Sequence, residues 1–593
     1  MRVGLARPGR ADALCAAALA LLVAGTWCVA YGRTSLGAWQ TPITYRGDSL
    51  FLTAYLKAAR DGHVVPGASL VVPELNAPFE ANWNDHPRTL RAVFLVAGLL
   101  ARVSGLFAAM NLLLLLAHVL AALSLFAVAR YFGARREWAF AGGLAFGLAH
   151  FLFWRTLDHL DLALCWHLPL CILVVAWIFG RRGIAWRSGR FVAAVLVTVV
   201  TALHNPYYAC LYGQFLLFAA AAQAVRRAGR VRVLVPLALA AVLAGAFFAD
   251  NAGSILYQWR NGLNGGALRP YGNLERYALK PLELFVPPPG FGLADWGRVA
   301  RVHWQRAIYR GERGSPYLGI VGAAALASIF GATVVGLWRR PPRAPSPAAV
   351  AIGWVLLFTV LGGVNQLLGL LGFVWLRGTN RFSVWILALV LLVLVVAARG
   401  LTSRRGSLAA AAVASVIVLA DQVPLRASRA EQRLTRLAVS TDRTFVAAVE
   451  ESLPPGAMVF MLPLVEFPEG RPVLDAGEYE HLRPYLHSRQ LRFSFGTDKG
   501  RPREAWQLTT AAQPVARMVS DLESYGFSGI LLNRRAYPRS GDELIAELAA
   551  AGRSVTVVHA SGDYVLVPLR PAVSPVLPPG AGPAQGARNS SRG

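Results

Sequence analysis

The sequence predicts an α-helical polytopic membrane protein that carries a small α/β domain outside the bilayer. Three observations predict it. Of 593 residues, 55% are hydrophobic and only 15% are charged, which is too little polar surface for a soluble fold. The apolar residues fall in runs of about 20, the length a helix needs to cross a hydrocarbon core. Basic residues cluster in alternate connections between those runs, as a threaded topology requires.

The runs lie near residues 12–31, 106–129, 138–153, 162–180, 191–204, 207–225, 233–249, 317–338, 348–375, 382–398 and 407–424. They make about eleven spans by the length criterion. The run at 138–153 is short, and the one at 348–375 is long enough to tilt or break. The basic clusters are Arg2/Arg7/Arg10, Arg130/Arg135/Arg136, Arg181/Arg182/Arg187/Arg190, Arg226/Arg227/Arg230/Arg232, Arg339/Arg340/Arg343 and Arg399/Arg404/Arg405. About twenty Arg stand there against Asp12 and Glu137, the bias expected of short cytoplasmic loops. The amino terminus is therefore expected inside and the carboxyl region outside. The first span has a basic flank and no convincing small-residue cleavage site, so it reads as a retained anchor.

The net charge of +27 does not indicate a nucleic-acid partner. Much of it is the inside bias, and no zinc or helix-turn-helix pattern accompanies it. Cys15, Cys28, Cys165, Cys171 and Cys210 all fall in apolar segments and read as small core residues rather than disulfide partners.

The connections on the expected outer side are the chemically rich ones. The loop 32–88 contains Tyr45-Arg46-Gly47-Asp48-Ser49 and then an amphipathic stretch, Phe51 to Lys57, that fits a short helix on the membrane surface. Gly47 allows a tight turn, and Asp48 can cap that helix. Further on, Asn82, Asn84, Asp85 and His86 flank Trp83, a group that suits sugar recognition. Asp158 and Asp161 share a helical face around His159, and His204-Asn205-Pro206 follows between later spans. The long loop 250–316 carries Arg260, and Arg377-Gly378-Thr379-Asn380-Arg381 joins the ninth and tenth spans. Two guanidiniums there can grip a lipid phosphate. Each group also admits a plain structural role, as helix cap, solvated turn or headgroup contact. Their occurrence on one side is what points to a site, because ionisable residues at membrane depth are costly and usually functional.

This pattern, over residues 1 to about 424, resembles the GT-C superfamily of membrane glycosyltransferases, which take a sugar from a polyprenyl-phosphate carrier on the outer face of the membrane. Arg46-Gly47-Asp48 occupies the place of that family's catalytic acid, beyond the first span. Arg377 to Ser383, His481 to Ser488 and Phe493 to Gly496 resemble an uncharacterised bacterial branch with a carboxyl-terminal periplasmic domain. The resemblance implies an inverting transfer in a bacterial inner membrane to a glycan, lipid or protein acceptor, as part of cell envelope biogenesis. It implies Asp48 as base; the chemistry of the outer connections then suggests Arg377, Arg381 and Arg260 on the donor phosphate, and Asn82, Asn84, Asp85, His86, Asp158, His159, His204 and Asn205 around sugar or acceptor. The acid is a lone Asp rather than the paired Asp-x-Asp or Glu-x-Asp of some relatives. A divalent cation, Mg or Mn, held by Asp48, Asp158 and Asp161 is therefore an open option.

Beyond 424 the long apolar runs cease, and 425–570 reads as a folded periplasmic domain. Val459 to Leu464 and Gly529 to Leu532 read as buried strands, Arg517 to Ser524 as a helix, and Val555 to Val558 with Tyr564 to Val567 as a hairpin. About 145 residues with few Asp/His clusters do not suit an alkaline-phosphatase-like phosphoglycerol transferase. Glu466, Glu469, Tyr479, His481, Tyr485 and Trp506 are candidate acceptor contacts, and the Pro- and Gly-rich tail 571–593 is expected to be disordered. Two other classes remain open. A lipid-linked sugar flippase would place polar groups at mid-bilayer depth, where Gly362-Gly363, Asn365 and Gln366 are the exception among otherwise peripheral ones. A non-catalytic envelope assembly protein would use the outer domain to bind a partner.

Overall fold

The computed structural model describes residues 9–85, 90–288, 294–308, 311–312, 315–401, 403–424 and 429–579. The chain divides into two compact units. The first comprises Met1–Trp39, Asn111–Asp250 and Arg269–Arg429; the second comprises Gln40–Met110, Asn251–Leu268 and Ala430–Gly593.

The first unit is helical. Among the described residues, seven helices are long and apolar enough to cross a membrane: Arg10–Ala30, Leu106–Tyr131, Pro206–Val225, Arg230–Asp250, Gly319–Trp338, Thr379–Gly400 and Arg404–Gln422. Leu168–Phe179, Gly189–Ala202 and Pro347–Thr359 are apolar but shorter. The segment Ser383–Ala397 is apolar all round, and every residue from Ser383 to Leu392 is buried. Such a helix belongs in the middle of a bundle.

Helix Arg136–Gly147 packs against it and is shaped for close approach. A Cβ on Gly142 would stand 2.7 Å from a Val395 methyl, and one on Gly147 would stand 2.5 Å from Ala122 Cβ. Glycine here lets backbones meet at a distance that Ala or Val would forbid. The apolar run that begins there stops as a helix at Gly147 and resumes as the short helix His150–Arg155, so 138–153 is not one continuous helix.

The run 348–375 also breaks, into Pro347–Thr359 and Val364–Leu370. Gly362 takes φ +79, a backbone conformation that favours glycine. The freed polar groups find partners, as they must in an apolar medium. Thr359 O accepts from Leu279 N at 2.9 Å and from Thr379 Oγ1 at 2.8 Å. Gln366 Oε1 accepts from Gly362 N at 2.9 Å, and Asn365 Nδ2 donates to Leu376 O at 2.9 Å. Asn365 and Gln366 are thus spent on holding the break together.

The second unit is built on a five-stranded sheet in the order β4-β3-β5-β7-β6. Its strands are β3 (Met458–Leu462), β4 (Arg492–Phe493), β5 (Phe527–Asn533), β6 (Val557–Val558) and β7 (Tyr564–Pro568). A two-stranded hairpin of β1 (Val71–Val72) and β2 (Ala81–Asn82) precedes it in sequence. β3 pairs in parallel with β4 and β5, whereas β7 runs antiparallel to β5 and β6. Parallel neighbours need crossovers, and helices Leu482–His487, Ala505–Ala511 and Val515–Ser524 supply them. All seven residues of β5 are buried, as a central strand covered on both faces should be. Phe460, Leu462, Trp506, Leu522, Phe527 and Ile530 lie in its core.

The first loop belongs to this unit rather than to the helical one. Its backbone covers the edge strand: Phe493 N donates to Glu74 O and Ala77 N to Phe493 O, both at 2.9 Å, and Trp83 Nε1 donates to Gly496 O at 3.3 Å. An uncovered edge would be left with unpaired backbone groups. Helix Asp48–Asp61, expected on the membrane surface, is instead buried from Ser49 to Ala59. Phe51 stacks on Tyr479 with ring centroids 5.4 Å apart and planes at 11°. Lys57 Nζ pairs with Asp61 at 3.0 Å and lies 4.1 Å above the Tyr485 ring, so its charge is met inside the fold.

The tail expected to be disordered from Pro571 is hydrogen-bonded as far as Val576, whose N donates to Ser524 O at 3.0 Å; residues 580–593 lie outside the described residues.

One buried carboxylate ties these pieces together. Asp442, 2% exposed on helix Arg429–Ser452, accepts from Tyr45 Oη at 2.7 Å, Arg483 Nε at 2.7 Å, Arg483 Nη2 at 3.0 Å and His559 Nε2 at 3.0 Å. Burial alone would raise its pKa; the His559 hydrogen bond, the Arg483 charge and the Tyr45 hydroxyl hold it below the usual carboxylate range. Its stabilising contribution is therefore present above about pH 4 and is lost as pH falls through the depressed folded value.

Asp442→Ala should cost about 3–5 kcal/mol, because it strands a buried guanidinium, and should lower the melting temperature of the detergent-solubilised chain. Gly147→Val should destabilise by about 1–3 kcal/mol, whereas Gly331→Val, at a glycine with nothing within 4 Å of an added Cβ, should have little effect in the same melting assay.

Candidate active site

In the second unit the chain reaches helix Asp48–Asp61 through Gly47, whose φ of 55° and ψ of −145° are closed to residues with a Cβ. Gly47 takes the cap position, and its carbonyl accepts Leu50 N at 3.0 Å. Asp48 is therefore the first helical residue and not the cap that the sequence suggested. The partial positive charge of a helix amino terminus favours its ionised form. Ser49 Oγ donates to Arg46 O at 2.6 Å and fixes the turn.

Asp48 and Phe51 share a helix face at i, i+3, and Phe51 stacks on Tyr479, the neighbour of Glu478. Burial pushes the Glu478 carboxyl up to about 7, with the negative charges of Asp48 and Glu469 adding to the shift and Lys499 opposing it. The loop is pinned around this group. Tyr479 Oη accepts from Glu469 N at 3.0 Å, Lys499 Nζ donates to Glu469 O at 3.2 Å, and Lys499 N donates to Phe467 O at 2.7 Å. A carboxyl that titrates near neutrality beside a second carboxylate is the arrangement general acid–base chemistry uses.

Glu478 was not among the sequence candidates. The signal available was the acidic density of Glu466, Glu469, Asp475, Glu478 and Glu480 in a loop of a strongly basic chain.

Of the residues proposed for sugar contact, Asn82, Asn84 and Asp85 are engaged inside the second unit. Asn84 is fully buried; its Oδ1 accepts from Leu70 N at 3.0 Å and Ser254 Oγ at 2.9 Å, and its Nδ2 donates to Ser69 Oγ at 2.8 Å and Asn82 Oδ1 at 2.7 Å. Asp85 makes a two-oxygen pair with Arg501, with Nε to Oδ2 at 2.6 Å, and also accepts from Asn264 Nδ2 at 2.8 Å. His86 lies outside the described residues. Arg260 sits exposed in the last turn of helix Ala252–Asn261. Among the acceptor candidates, Trp506 is in the sheet core, and His481 Nε2 donates to Pro463 O at 2.8 Å.

The first unit gathers a separate ionic group. Glu312 bridges two guanidiniums, with Oε2 at 2.6 Å from Arg155 Nη2 and Oε1 at 3.0 Å from Arg381 Nε. Burial raises the Glu312 pKa, yet the charges of Arg155 and Arg381 hold it well below the usual range. Arg155 also donates to Ser315 Oγ. The Arg381 guanidinium lies 5.1 Å from the Tyr207 ring centre, and Gly378 N donates to Tyr207 Oη at 3.1 Å. Arg377 lies 5.7 Å from the Tyr277 ring centre.

The Arg381 guanidinium is held by Glu312 and Tyr207 and also feels the negative charge of Asp161. Asn205 caps helix Pro206–Val225, its Oδ1 accepting Tyr207 N at 3.0 Å while its Nδ2 donates to Asp161 Oδ2 at 2.9 Å. His204 Nδ1 donates to Val200 O at 2.7 Å. Asp158 is met by Thr156 Oγ1 at 3.4 Å, and His159 precedes the short helix Leu160–Ala163. Arg155, Glu312 and Tyr207 were not named from sequence. Nothing local marks them, since their roles arise only when distant segments meet.

Asp158 and Asp161 lie in the first unit and Asp48 in the second. Among the described residues, no three His, Cys, Asp or Glu side chains are grouped to hold a metal ion, and no step below is routed through one.

No protein-family model matches the sequence, and no curated protein does. Solved structures do match. ArnT from Cupriavidus metallidurans bound to undecaprenyl phosphate is 15% identical over 95% of this chain and 99% of that one, with a TM-score of 0.48. The Archaeoglobus fulgidus oligosaccharyltransferase in its apo form is 11% identical over 88% of this chain and 69% of that one, TM-score 0.42. The archaeal oligosaccharyltransferase AglB from Archaeoglobus fulgidus, in complex with an inhibitory peptide and a dolichol-phosphate, is 10% identical over 94% and 74%, TM-score 0.41.

The raised Glu478 pKa has a stability consequence. The unfolded carboxyl ionises near its ordinary value of about 4.3, so the folded state loses stability as pH rises from there through about 7. Melting curves between pH 4 and 8 should show this loss in the native chain and a smaller one in Glu478→Gln. Asp48→Asn, which removes a neighbouring charge, should shift the loss to lower pH.

Proposed function

We propose that the chain is a membrane glycosyltransferase that moves a sugar from a polyprenyl-phosphate carrier to an envelope glycan, lipid or protein acceptor on the periplasmic face of a bacterial inner membrane. The observation that carries the reading is the carboxylate pair, Asp48 at a helix amino terminus with Glu478 poised near neutrality beside it. A sugar acceptor is a hydroxyl of very high pKa, and its attack needs a base at the moment of reaction.

Asp48 takes the acceptor proton while the acceptor oxygen bonds to the anomeric carbon. The bond from that carbon to the carrier phosphate oxygen breaks, and the lipid phosphate leaves with the electron pair. One displacement of this kind inverts the anomeric centre. Ionised Glu478 raises the proton affinity of Asp48 through like-charge repulsion, which strengthens the base. Negative charge grows on the departing phosphate. Preorganised cations offset such charge, and Arg381, held by Glu312 within the first unit with Arg377 four residues before it, is a cation of that kind.

In membranes that hold equal amounts of each variant, Asp48→Asn should lower transfer from a polyprenyl-phosphate sugar by about 10²–10⁴-fold, the usual worth of a general base. Turnover within a few-fold of the native chain would remove Asp48 from that role. Mass spectrometry of envelope glycans with and without the gene should then show one missing sugar, which names donor and acceptor; an unchanged glycan profile would contradict the reading.

A further inference from the structure

The Glu312 group adjoins the start of helix Ser383–Ala397, and a second basic group lies at the far end of the same bundle, beyond Ala397. The 15 residues of that helix separate them, or roughly 22 Å at ~1.5 Å per residue. There a cavity of about 1010 Å³ opens between helices Arg136–Gly147 and Arg404–Gln422. Arg130, Arg135, Arg136 and Arg404 line its mouth, and Glu137 is the acid that lines it with them.

The acids offset only part of this charge: Asp12 faces Arg130 and Arg136, and the Glu137 carboxylate faces Arg135 and Arg404, which leaves four guanidiniums against two carboxylates. Asp12 is taken by Arg130 Nε at 3.0 Å and Arg136 Nε at 2.7 Å, and Glu137 Oε1 accepts from Ser407 Oγ at 2.7 Å. Among the described residues Arg135 Nη1 is buried without a hydrogen-bond partner, although a guanidinium N–H removed from water ordinarily has one. Both flanking helices begin at this mouth, so their positive ends add to the field.

The walls below the mouth change character. Phe140 follows Arg136 by one turn, and Leu408, Ala411 and Ala412 follow Arg404 by one and two turns. Each helix thus presents a charged head followed by an apolar stripe along one groove. A free anion would use only the head.

We propose that this groove binds an anionic phospholipid, its phosphate held by Arg135 and Arg404 and one acyl chain lying against Phe140 and Leu408. Basic pockets between membrane helices take such headgroups by charge, at a gain of about five-fold in affinity for each basic residue. The apolar stripe selects a lipid phosphate over inorganic phosphate. The site is distinct from Asp48 and Glu478, and its occupancy does not depend on the transfer reaction.

The test is native mass spectrometry of the full detergent-solubilised chain with phosphatidylglycerol, phosphatidylcholine or inorganic phosphate added. Phosphatidylglycerol should be retained in preference to phosphatidylcholine. Arg404→Ala, at an exposed position, should weaken retention about five-fold, and Arg135→Ala should do the same. Leu408→Asn, which removes the apolar contact without adding charge, should weaken phosphatidylglycerol further while leaving any phosphate adduct unchanged. Equal retention of the two lipids, or no change in Arg404→Ala and Leu408→Asn, would overturn the proposal. Inorganic phosphate competing at equal concentration would reassign the head to a soluble anion and would also overturn it.

Discussion

The second unit depends on one buried carboxylate, Asp442. Taking a charge to 2% exposure is costly unless every lone pair is met, and four donors meet it here. Those donors come from far apart in the chain: Tyr45 from the first loop, Arg483 from the crossover after β3, and His559 from the turn between β6 and β7. The same contact therefore fixes the path of the chain three residues before Asp48 and the segment that follows Glu478. The Arg483 guanidinium also lies 5.2 Å from the Tyr45 ring centre, and His487 Nε2 lies 2.9 Å from Tyr45 Oη. Position in the chemistry is inherited from this network.

A carboxylate at the end of a buried helix is an ordinary feature; a partner that titrates near 7 is not. The pair arises because the first loop folds onto the carboxyl-terminal sheet. Phe51 finds Tyr479, Trp83 finds the Gly496 carbonyl, and the backbone of Glu74 and Ala77 covers the edge of β4. The domain beyond the spans thereby supplies Glu478, whose carboxyl feels the charges of Asp48, Glu469 and Lys499. In the first unit, Glu312 plays the corresponding part for Arg155 and Arg381, fixing two cations that would otherwise sample many rotamers.

Much of the fold was legible because its determinants are local or periodic. Apolar runs marked the long helices, and the strands at 458–462, 527–533 and 564–568 stood out as short β-branched and aromatic segments between turns. The length of 348–375 allowed either a tilt or a break, and the break falls at Gly362-Gly363. What was not legible depends on contacts between remote segments. Composition made Asn82, Asn84 and Asp85 look like sugar ligands, yet Asn84 meets Ser69, Leu70 and Ser254, and Asp85 meets Arg501 more than four hundred residues away. The amphipathic helix after Asp48 showed the pattern of a surface helix, because a helix sheathed by its own domain and one floating on lipid need the same apolar face. Glu478 could be suspected only from acidic density, and its proximity to Asp48 from nothing in the sequence.

The central claim is that Asp48 and Glu478 act as a coupled pair in transfer. The most direct measurement is the pH dependence of kcat/KM for a polyprenyl-phosphate sugar, in the native chain and in Glu478→Gln. The account predicts a rate that rises with an apparent pKa near 7, as ionised Glu478 strengthens Asp48, and a profile without that rise in the variant. A native profile flat through pH 7, or the same rise in both proteins, would contradict it.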